Sequence, residues 1–210
     1  MKKILLIGDS IRAGYDSYVK MALEGVAEVY YPWDNCRFTS YVLRNLLIWK
    51  DELKLEDIDL IHWNAGLWDT LYMHDGKPLI SLSEYKENIH RICKVMGILF
   101  PGAKMIFATS TPVQEELFGE LKRYNKDIET YNAAAIKIVS EYGATINDLY
   151  TTMAKLPASY HSDLTHYYTK EGTQVITDQV LTHLEKALNI TAKPLDYDAL
   201  FAEKEEIIGM

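Results

Sequence analysis

The sequence predicts a three-layer α/β/α fold around a five-stranded parallel sheet. Short apolar segments of strand length alternate five times with longer segments of helical spacing, a pattern typical of βαβ units. The first apolar run, residues 4–7, is continuous and ends at Gly8, as expected of a parallel strand that is covered on both faces. Right-handed crossovers between such strands place helices on both sides of the sheet.

Turn-forming residues bound the second, third and fourth predicted strands. Pro32 stops the second strand, Gly66 follows the third, and the segment Ser110-Thr111-Pro112 follows the fourth. The fifth strand has the weakest pattern of the five. The predicted ranges of these strands are 28–31, 59–64, 104–109 and 144–149.

The helices are predicted from apolar residues that recur with a period near 3.6. A glycine closes the first and the fourth helix, and a Pro-Gly pair ends the third. Ser81 and Glu84 have the spacing of a capping box before the third helix, and Thr39 or Ser40 is the expected N-cap of the second. The predicted ranges of the helices are 13–25, 39–49, 83–100, 121–142 and 171–188.

Length and composition favour one compact domain. The chain has 210 residues, of which 48% are hydrophobic, and no Pro-, Gly- or Ser-rich linker divides it. We expect the domain to span residues 1–190 and a charged C-terminal tail to span 191–210, with a short helix at 197–208. Apolar residues in this tail suit docking on a partner subunit, which makes a homodimer a candidate assembly, although the sequence does not fix the oligomeric state; they are Leu200, Phe201, Ile207 and Ile208.

The charge and the cysteines exclude several classes of function. A net charge of −8 argues against nucleic acid or an anionic membrane as the main partner, because both bind basic patches. Cys36 and Cys93 have no metal-knuckle spacing, and we interpret them as reduced thiols of a cytoplasmic protein. The apolar run near the N-terminus is too short for a signal peptide. No glycine-rich phosphate loop or dinucleotide fingerprint is present, so no cofactor is expected.

The candidate nucleophile follows the first strand directly. Ligands bind at the carboxyl ends of the strands in sheets of this kind. Ser10, in the segment Gly8-Asp9-Ser10, is placed there, at the positive end of the following helix. The alternative is that Ser10 only caps this helix.

A candidate base lies near the other end of the chain, just before the last long helix. Histidine is the usual base for a serine nucleophile, and it needs an acceptor that fixes its tautomer. Asp163 precedes His166 by three residues and can supply that acceptor within one turn. The alternatives are a solvated polar loop and His161 as the base. His62, on the third strand, is expected to be a satisfied core residue.

The two segments together resemble the first and last blocks of the GDSL/SGNH hydrolases. These blocks are Gly8-Asp9-Ser10-Ile11 and Asp163-Leu164-Thr165-His166, and the resemblance extends over residues 4–188. It implies a flavodoxin-like SGNH hydrolase fold and a serine ester hydrolase without a cofactor. The implied catalytic triad is Ser10, His166 and Asp163. Its substrate is then a small-molecule ester.

Two further blocks depart from the family pattern at the oxyanion hole. Gly66-Leu67-Trp68-Asp69 is similar to the third block, but Trp68 stands at the position of the family's asparagine. Cys36 replaces the glycine that follows the second strand. The resemblance then implies that the oxyanion donors are the N–H groups of Ser10 and Cys36 together with Asn64. The loss of one donor costs roughly 10²–10³ in rate.

Substrate contacts are expected from polar and aromatic residues at the same edge. Arg12, Arg37 and Trp68 are the candidate substrate-binding residues, with structural roles as the alternative for each. Aromatic faces suit sugar rings or acyl chains, and they favour an ester such as an acetylated carbohydrate. The aromatic residues predicted at this edge are Tyr15, Tyr18, Trp33, Trp63, Trp68 and Tyr72.

Three rival interpretations follow from the same residues. The first is a catalytically weak or inactive module that binds a glycan or an acyl group, suggested by Trp68 and Cys36. The second is a flavodoxin-like binding or signalling domain, which has no use for Asp163 and His166 beside Ser10. The third is a different chemistry in the same loops, with either Cys36 as the nucleophile or a metal held in the 161–166 loop. The spacing of the candidate ligands in that loop matches no known zinc pattern.

Overall fold

The computed structural model describes residues 1–208, and the side chains of residues 1–202. It confirms the predicted three-layer fold and its five-stranded parallel sheet. The strands are β1 (Lys2–Ile7), β2 (Ala27–Tyr30), β3 (Leu60–Trp63), β4 (Lys104–Ala108) and β5 (Thr145–Asn147). The helices are α1 (Ser10–Ala22), α2 (Thr39–Glu52), α3 (Leu82–Leu99), α4 (Asn125–Glu141), α5 (Leu149–Met153), α6 (Lys170–Leu188) and α7 (Tyr197–Ile208).

Alternating residues of β1 show how the layers are built. Leu5 and Ile7 pack into the core beneath α2, α3 and α4, while Ile4 and Leu6 pack into the core beneath α1 and α6. All four side chains are almost completely buried. Burial on both faces explains why this strand has a continuous apolar run rather than an alternating one.

The strand order places a crevice at the end of β1. The order is β2-β1-β3-β4-β5, so the chain leaves β1 toward one side for β2 and returns to the other side for β3. The connections after β1 and β3 therefore diverge, and ligands bind in parallel sheets at such a switch point. Ser10 and Asn64 stand at the carboxyl ends of these two strands.

Helix α1 begins three residues earlier than the pattern predicts. The Asp9 side chain accepts a hydrogen bond of 3.0 Å from the N–H of Ile11 and caps the helix. The cap extends the helix up to the strand, and Ser10 becomes its first residue.

Helix α4 begins four residues later than predicted. Leu121 has a left-handed backbone with φ of 51°, which does not fit a helix interior. The Asn125 side chain bonds both the N–H and the C=O of Val113, at 2.9 Å each. Residues 121–124 therefore belong to the loop that follows β4 at the carboxyl edge of the sheet.

Two other boundaries differ for related reasons. The predicted N-cap of α2, Thr39 or Ser40, is wrong because Phe38 precedes the helix and Thr39 is its first residue. The fifth strand is shorter than predicted, because the Asp148 side chain caps a short helix by accepting the N–H of Thr151.

The C-terminal helix forms where it was predicted, and its described part packs on its own chain. Phe201 stacks on Tyr18 of α1 with ring centroids 6.0 Å apart, and Tyr197 is buried. The side chains of Ile207 and Ile208 lie outside the described residues. The homodimer stays a prediction. Within residues 1–208, no helix has the length and apolarity needed to cross a bilayer.

His62 is a satisfied core residue, as predicted. Its Nε2 accepts from the Asn147 side chain at 3.1 Å, and its Nδ1 lies 3.4 Å from the Tyr15 hydroxyl. Gln179 donates to the Oδ1 of Asn147, which orients that amide toward the ring. Complete burial lowers the pKa of His62 to about 3, so the ring is neutral in the folded protein.

This buried imidazole makes the fold sensitive to acid. The unfolded chain binds a proton at His62 near pH 6.5, whereas the folded chain does not, so the contribution of His62 to stability falls as pH decreases below 6.5. We expect His62 to remove about 2 kcal/mol of unfolding free energy between pH 7 and pH 5. The His62→Gln variant, measured by urea unfolding at both pH values, should lose less stability over this interval than the wild type.

His74→Gln provides the matched control, because it makes the same substitution at an exposed histidine. Comparing variants also separates His62 from Asp69, whose raised pKa acts in the opposite direction. Equal pH dependence in His62→Gln and the wild type would contradict the prediction.

Candidate active site

The structure brings the three predicted triad residues into one chain of hydrogen bonds. The hydroxyl oxygen of Ser10 lies 2.7 Å from Nε2 of His166, across 156 positions of sequence. Nδ1 of the same ring lies 2.7 Å from Oδ2 of Asp163. With the ring proton on Nδ1, directed at the carboxylate, Nε2 is an acceptor for the serine O–H. In this geometry Nε2 is placed to accept the proton of the Ser10 hydroxyl.

The Asp163 carboxylate is held by the backbone of its own turn. Its Oδ1 accepts hydrogen bonds from the N–H of Thr165 at 2.7 Å and of His166 at 2.8 Å. Partial burial opposes ionisation, but these hydrogen bonds and the histidine outweigh it and lower the pKa of Asp163. An ionised carboxylate with fixed orientation is what the imidazole needs on its outer side.

The loop that carries Asp163 and His166 is docked on the loop after β4. Gln114 donates its backbone N–H to the Leu164 carbonyl at 2.9 Å, and the Tyr167 hydroxyl donates to the Pro112 carbonyl at 2.9 Å. Within the loop, Ser162 N–H donates to the His166 carbonyl at 2.8 Å. These contacts hold the histidine over the carboxyl edge of the sheet.

His161, the rival base, is placed differently. Its ring packs against Tyr167 with centroids 4.0 Å apart, and burial lowers its pKa. The Ser10 hydroxyl bonds to His166, so the geometry favours His166 as the base.

Asp9 has a structural role in the segment Gly8-Asp9-Ser10, the nucleophile turn, which is named for the predicted role of Ser10. It is fully buried, and burial raises its pKa, although the hydrogen bonds from Ile11 and Asn64 and the charge of Arg123 act in the opposite direction. Its cap on α1 leaves the N–H of Ser10 at the first helical position, where a backbone N–H has no partner within the helix. That N–H keeps its predicted place among the candidate oxyanion donors.

Asn64 lies directly against the nucleophile turn. A Cβ at position 8 would come within 2.0 Å of its Oδ1, so only glycine at that position leaves room for this carboxamide. Asn64 is buried and lies beside Asp9. It stays the predicted side-chain donor of the oxyanion hole.

The prediction that Cys36 supplies an oxyanion N–H is contradicted. Its N–H donates to the Gly8 carbonyl at 3.1 Å and is engaged within the loop. The thiol is no better placed as a nucleophile, because it is buried and burial raises its pKa to about 11. Cys36 instead ties the second loop to the nucleophile turn. Both cysteines are free thiols.

Arg12 is buried within the protein, contrary to its predicted role as a substrate contact. It is 2% exposed and forms an ion pair with Asp16, one turn further along α1. Its other guanidinium nitrogens donate to the Gly8 carbonyl at 3.3 Å and the Asp34 carbonyl at 2.6 Å. All three contacts are internal, so Arg12 ties α1 to the loop after β2.

Arg37 and Trp68 remain predicted substrate contacts. The Arg37 side chain is 45% exposed, and its guanidinium lies 4.8 Å from the ring centroid of Tyr41. Its left-handed φ of 50° holds this side chain at a sharp turn of the loop. Trp68 is half-buried.

Of the six aromatic residues predicted at the edge, three are buried, one is exposed, and Trp68 and Tyr72 are half-buried. Tyr15, Tyr18 and Trp63 are buried in the core. Trp33 is 85% exposed in the loop after β2 and is free to contact a ligand.

Asp69 joins the loop after β3 to the start of α2, which follows the loop after β2. Its carboxylate accepts hydrogen bonds from both the N–H and the hydroxyl of Thr39, at the start of α2. Asn88 donates to the same hydroxyl at 3.1 Å. Burial raises the pKa of Asp69 to about 7, against these hydrogen bonds. The first turn of α2 is therefore capped by a residue from another loop, which the sequence around Thr39 does not reveal.

Two residues near the site were missed from sequence. The Nε of Arg123 donates to the Leu67 carbonyl at 2.7 Å, and its charge interacts with the buried Asp9. Tyr168 stacks on His166 with ring centroids 4.7 Å apart. Arg123 stood in a segment predicted as helix, and Tyr168 lay outside the matched family blocks, so no pattern marked either one.

The internal role of Arg12 gives a stability prediction. We expect Arg12→Met to reduce the unfolding free energy by about 3–5 kcal/mol, because it leaves Asp16 buried without its partner. Arg12→Met with Asp16→Leu should recover much of that loss. Urea unfolding measures both, with the exposed Arg37→Met as a control that changes by less than about 0.5 kcal/mol. An Arg12→Met variant as stable as Arg37→Met would refute the internal role.

No family model matches the chain, but curated relatives do. It is 22% identical over 208 residues to the GDSL esterase/lipase CPRD49 of Arabidopsis thaliana, covering 88% of this chain and 79% of that protein. It is 24% identical over 177 residues to the GDSL esterase/lipase WDL1 of Oryza sativa subsp. japonica, covering 72% of this chain and 67% of that protein.

Solved structures share the fold over nearly the full chain. The lipase/acylhydrolase from Enterococcus faecalis superposes with a TM-score of 0.70 at 20% identity, covering 93% of this chain and 100% of that one. The acetyl xylan esterase AlAXEase gives a TM-score of 0.71 at 13% identity, covering 87% and 99%. The curated matches, the shared fold, and the Gly8-Asp9-Ser10 and Asp163-x-x-His166 segments at its two ends make the chain similar to the GDSL esterase/lipases.

Proposed function

We propose that the protein is a serine ester hydrolase that removes small acyl groups through Ser10, His166 and Asp163. The observation that carries this proposal is the pair of 2.7 Å contacts that link the three side chains at the switch point of the sheet. The relatives named as GDSL esterase/lipases support the reaction class.

The geometry leads to a two-step acyl transfer. The Ser10 oxygen attacks the ester carbonyl while Nε2 of His166 takes the hydroxyl proton, and Asp163 stabilises the imidazolium that forms. The tetrahedral intermediate collapses, and His166 returns the proton to the leaving alcohol. Water, activated by the same nitrogen, then attacks the acyl-serine and releases the acid.

The negative charge of the tetrahedral intermediate requires donors on the other side of Ser10. We assign this role to the N–H of Ser10 and to the amide NH2 of Asn64, which has a second N–H besides the one that it donates to Asp9. Cys36 is left out because its N–H bonds the Gly8 carbonyl. Two donors in place of three favour modest rates on activated esters.

Acetyl groups on carbohydrate are the proposed natural substrate. Two solved relatives in fold are named as an acetyl xylan esterase and an acetyl-xylooligosaccharide esterase. The exposed ring of Trp33 and the exposed guanidinium of Arg37 lie in one loop at the edge that carries Ser10, and both groups suit a hydroxyl-rich ligand. Trp68, half-buried in the next loop, is a third contact.

A module that binds a glycan or an acyl ligand without hydrolysing it is the second candidate function. It is favoured by the engaged N–H of Cys36 and by Trp68 at the position of the family's asparagine. The two functions differ in turnover alone, so kinetics on a simple ester separates them.

For the esterase, we expect Ser10→Ala and His166→Gln each to reduce kcat on p-nitrophenyl acetate by about 10³-fold or more. His161→Gln and the exposed Ser17→Ala should stay within about 3-fold of the wild type, because neither group bonds within the triad. Wild-type turnover no faster than that of Ser10→Ala would leave the binding module as the function.

For the substrate, we expect kcat/KM to fall as the acyl chain lengthens from acetate to octanoate. Trp33→Ala should raise KM for an acetylated xylo-oligosaccharide about 2- to 10-fold, the range of one aromatic contact, and leave p-nitrophenyl acetate unchanged. The exposed Leu47→Ala is the matched control on α2. A preference for long acyl chains, or equal effects of Trp33→Ala on both substrates, would exclude the carbohydrate proposal.

A further inference from the structure

We propose that Tyr168 is a positioning residue that holds the His166 ring in line with Ser10 by clamping it against α1. This inference rests on the proposed esterase function and adds a fourth residue to its machinery. Tyr168 touches both ends of the serine–histidine pair, and three separate contacts define its place.

The first contact is with the face of the imidazole. The rings of Tyr168 and His166 are stacked, with centroids 4.7 Å apart and planes inclined by 22°. Asp163 holds the Nδ1 edge of the imidazole at 2.7 Å, but one hydrogen bond at an edge leaves the ring free to tilt about that bond. A ring stacked on the face opposes the tilt.

The second contact is with the nucleophile residue itself. The Tyr168 hydroxyl donates to the backbone carbonyl of Ser10 at 2.6 Å. Burial raises the pKa of Tyr168 to about 12, so the phenol stays protonated and remains a donor at neutral pH. The same side chain therefore reaches from His166 to the backbone of Ser10.

The third contact explains a glycine inside α1. A Cβ at Gly14 would lie 2.6 Å and 2.8 Å from two carbons of the Tyr168 ring. Glycine is unfavourable in a helix interior, and here it leaves the surface of α1 open for the ring. Gly14 lies one turn after Ser10, so the surface that contacts the Tyr168 ring and the predicted nucleophile belong to the same helix.

These contacts set the relative position of two distant parts of the chain. The base is on the loop before α6 and the nucleophile is on α1, so their 2.7 Å contact depends on how that loop sits on the helix. Tyr168 bridges the two at the point of reaction. Tyr168 is still 40% exposed, so it is not a core residue whose loss would unfold the protein.

The test compares Tyr168→Leu, Tyr168→Phe and Gly14→Ala by steady-state kinetics on p-nitrophenyl acetate. Misplaced catalytic groups cost up to about 10²-fold, so we expect Tyr168→Leu to lower kcat about 10- to 100-fold with KM within 3-fold. Tyr168→Phe keeps the stacked ring and should recover kcat to within about 5-fold of the wild type. Gly14→Ala should reproduce the loss in kcat, because the added methyl displaces the ring.

Controls separate this inference from the proposed function and from a change in stability. The wild type and Ser10→Ala measure the triad, so an inactive wild type refutes the esterase itself. Tyr142→Leu removes a tyrosine of similar exposure, 37%, that packs on His90 away from the site, and should keep full kcat. Thermal unfolding of each variant shows that the fold is intact.

Three results would overturn the proposal in an active enzyme. They are a Tyr168→Leu variant with wild-type kcat, a loss confined to KM, and equal losses in Tyr168→Phe and Tyr168→Leu. The last result would assign the effect to the hydroxyl and not to the stacked ring.

Discussion

The hydrogen bond from the N–H of Ile11 to the buried Asp9 carboxylate is the contact on which the site depends. It starts α1 immediately after β1, with Ser10 as the first helical residue and its N–H unpaired by the helix. The switch point of the sheet lies at the same place, because β2 and β3 flank β1 on opposite sides. A later start of the helix would move the Ser10 hydroxyl away from His166. The cap thus links the topology of the sheet to the position of a single oxygen atom.

Buried polar contacts extend this arrangement to the surrounding loops. Arg12 joins α1 to the loop after β2 through the Asp34 carbonyl, and Asp69 joins that loop to the one after β3 through Thr39. Arg123 joins the loop after β3 to the loop after β4 through the Leu67 carbonyl. Each contact crosses from one strand end to the next. Polar groups that bridge loops in this way are costly to leave unpaired, so they fix the edge of the sheet as one unit.

Much of the fold and the predicted triad were accessible from sequence, because each depends on local signals. The apolar runs specify the strands, and the topology of parallel sheets brings their carboxyl ends together. Asp163 and His166 interact within one turn, so their spacing alone suggests the pair. The contacts by which Arg12 and Cys36 join separate loops were not accessible, because Arg12 reaches Asp34 and Cys36 reaches Gly8, each more than twenty residues away. Asp34 and Gly8 accept their hydrogen bonds only once the loops are folded. The role of Tyr168 was not accessible for the same reason, because its ring meets Gly14 only in the folded protein.

The proposed reaction requires His166 to activate the hydroxyl of Ser10. The most direct measurement is the reaction of the intact protein with a fluorophosphonate, followed by mass spectrometry of its peptides. We expect one adduct for each chain, located on Ser10, and its loss in a His166→Gln variant that retains its fold. An unmodified Ser10 in the wild type, or equal labelling in the presence and absence of His166, would show that His166 does not activate Ser10.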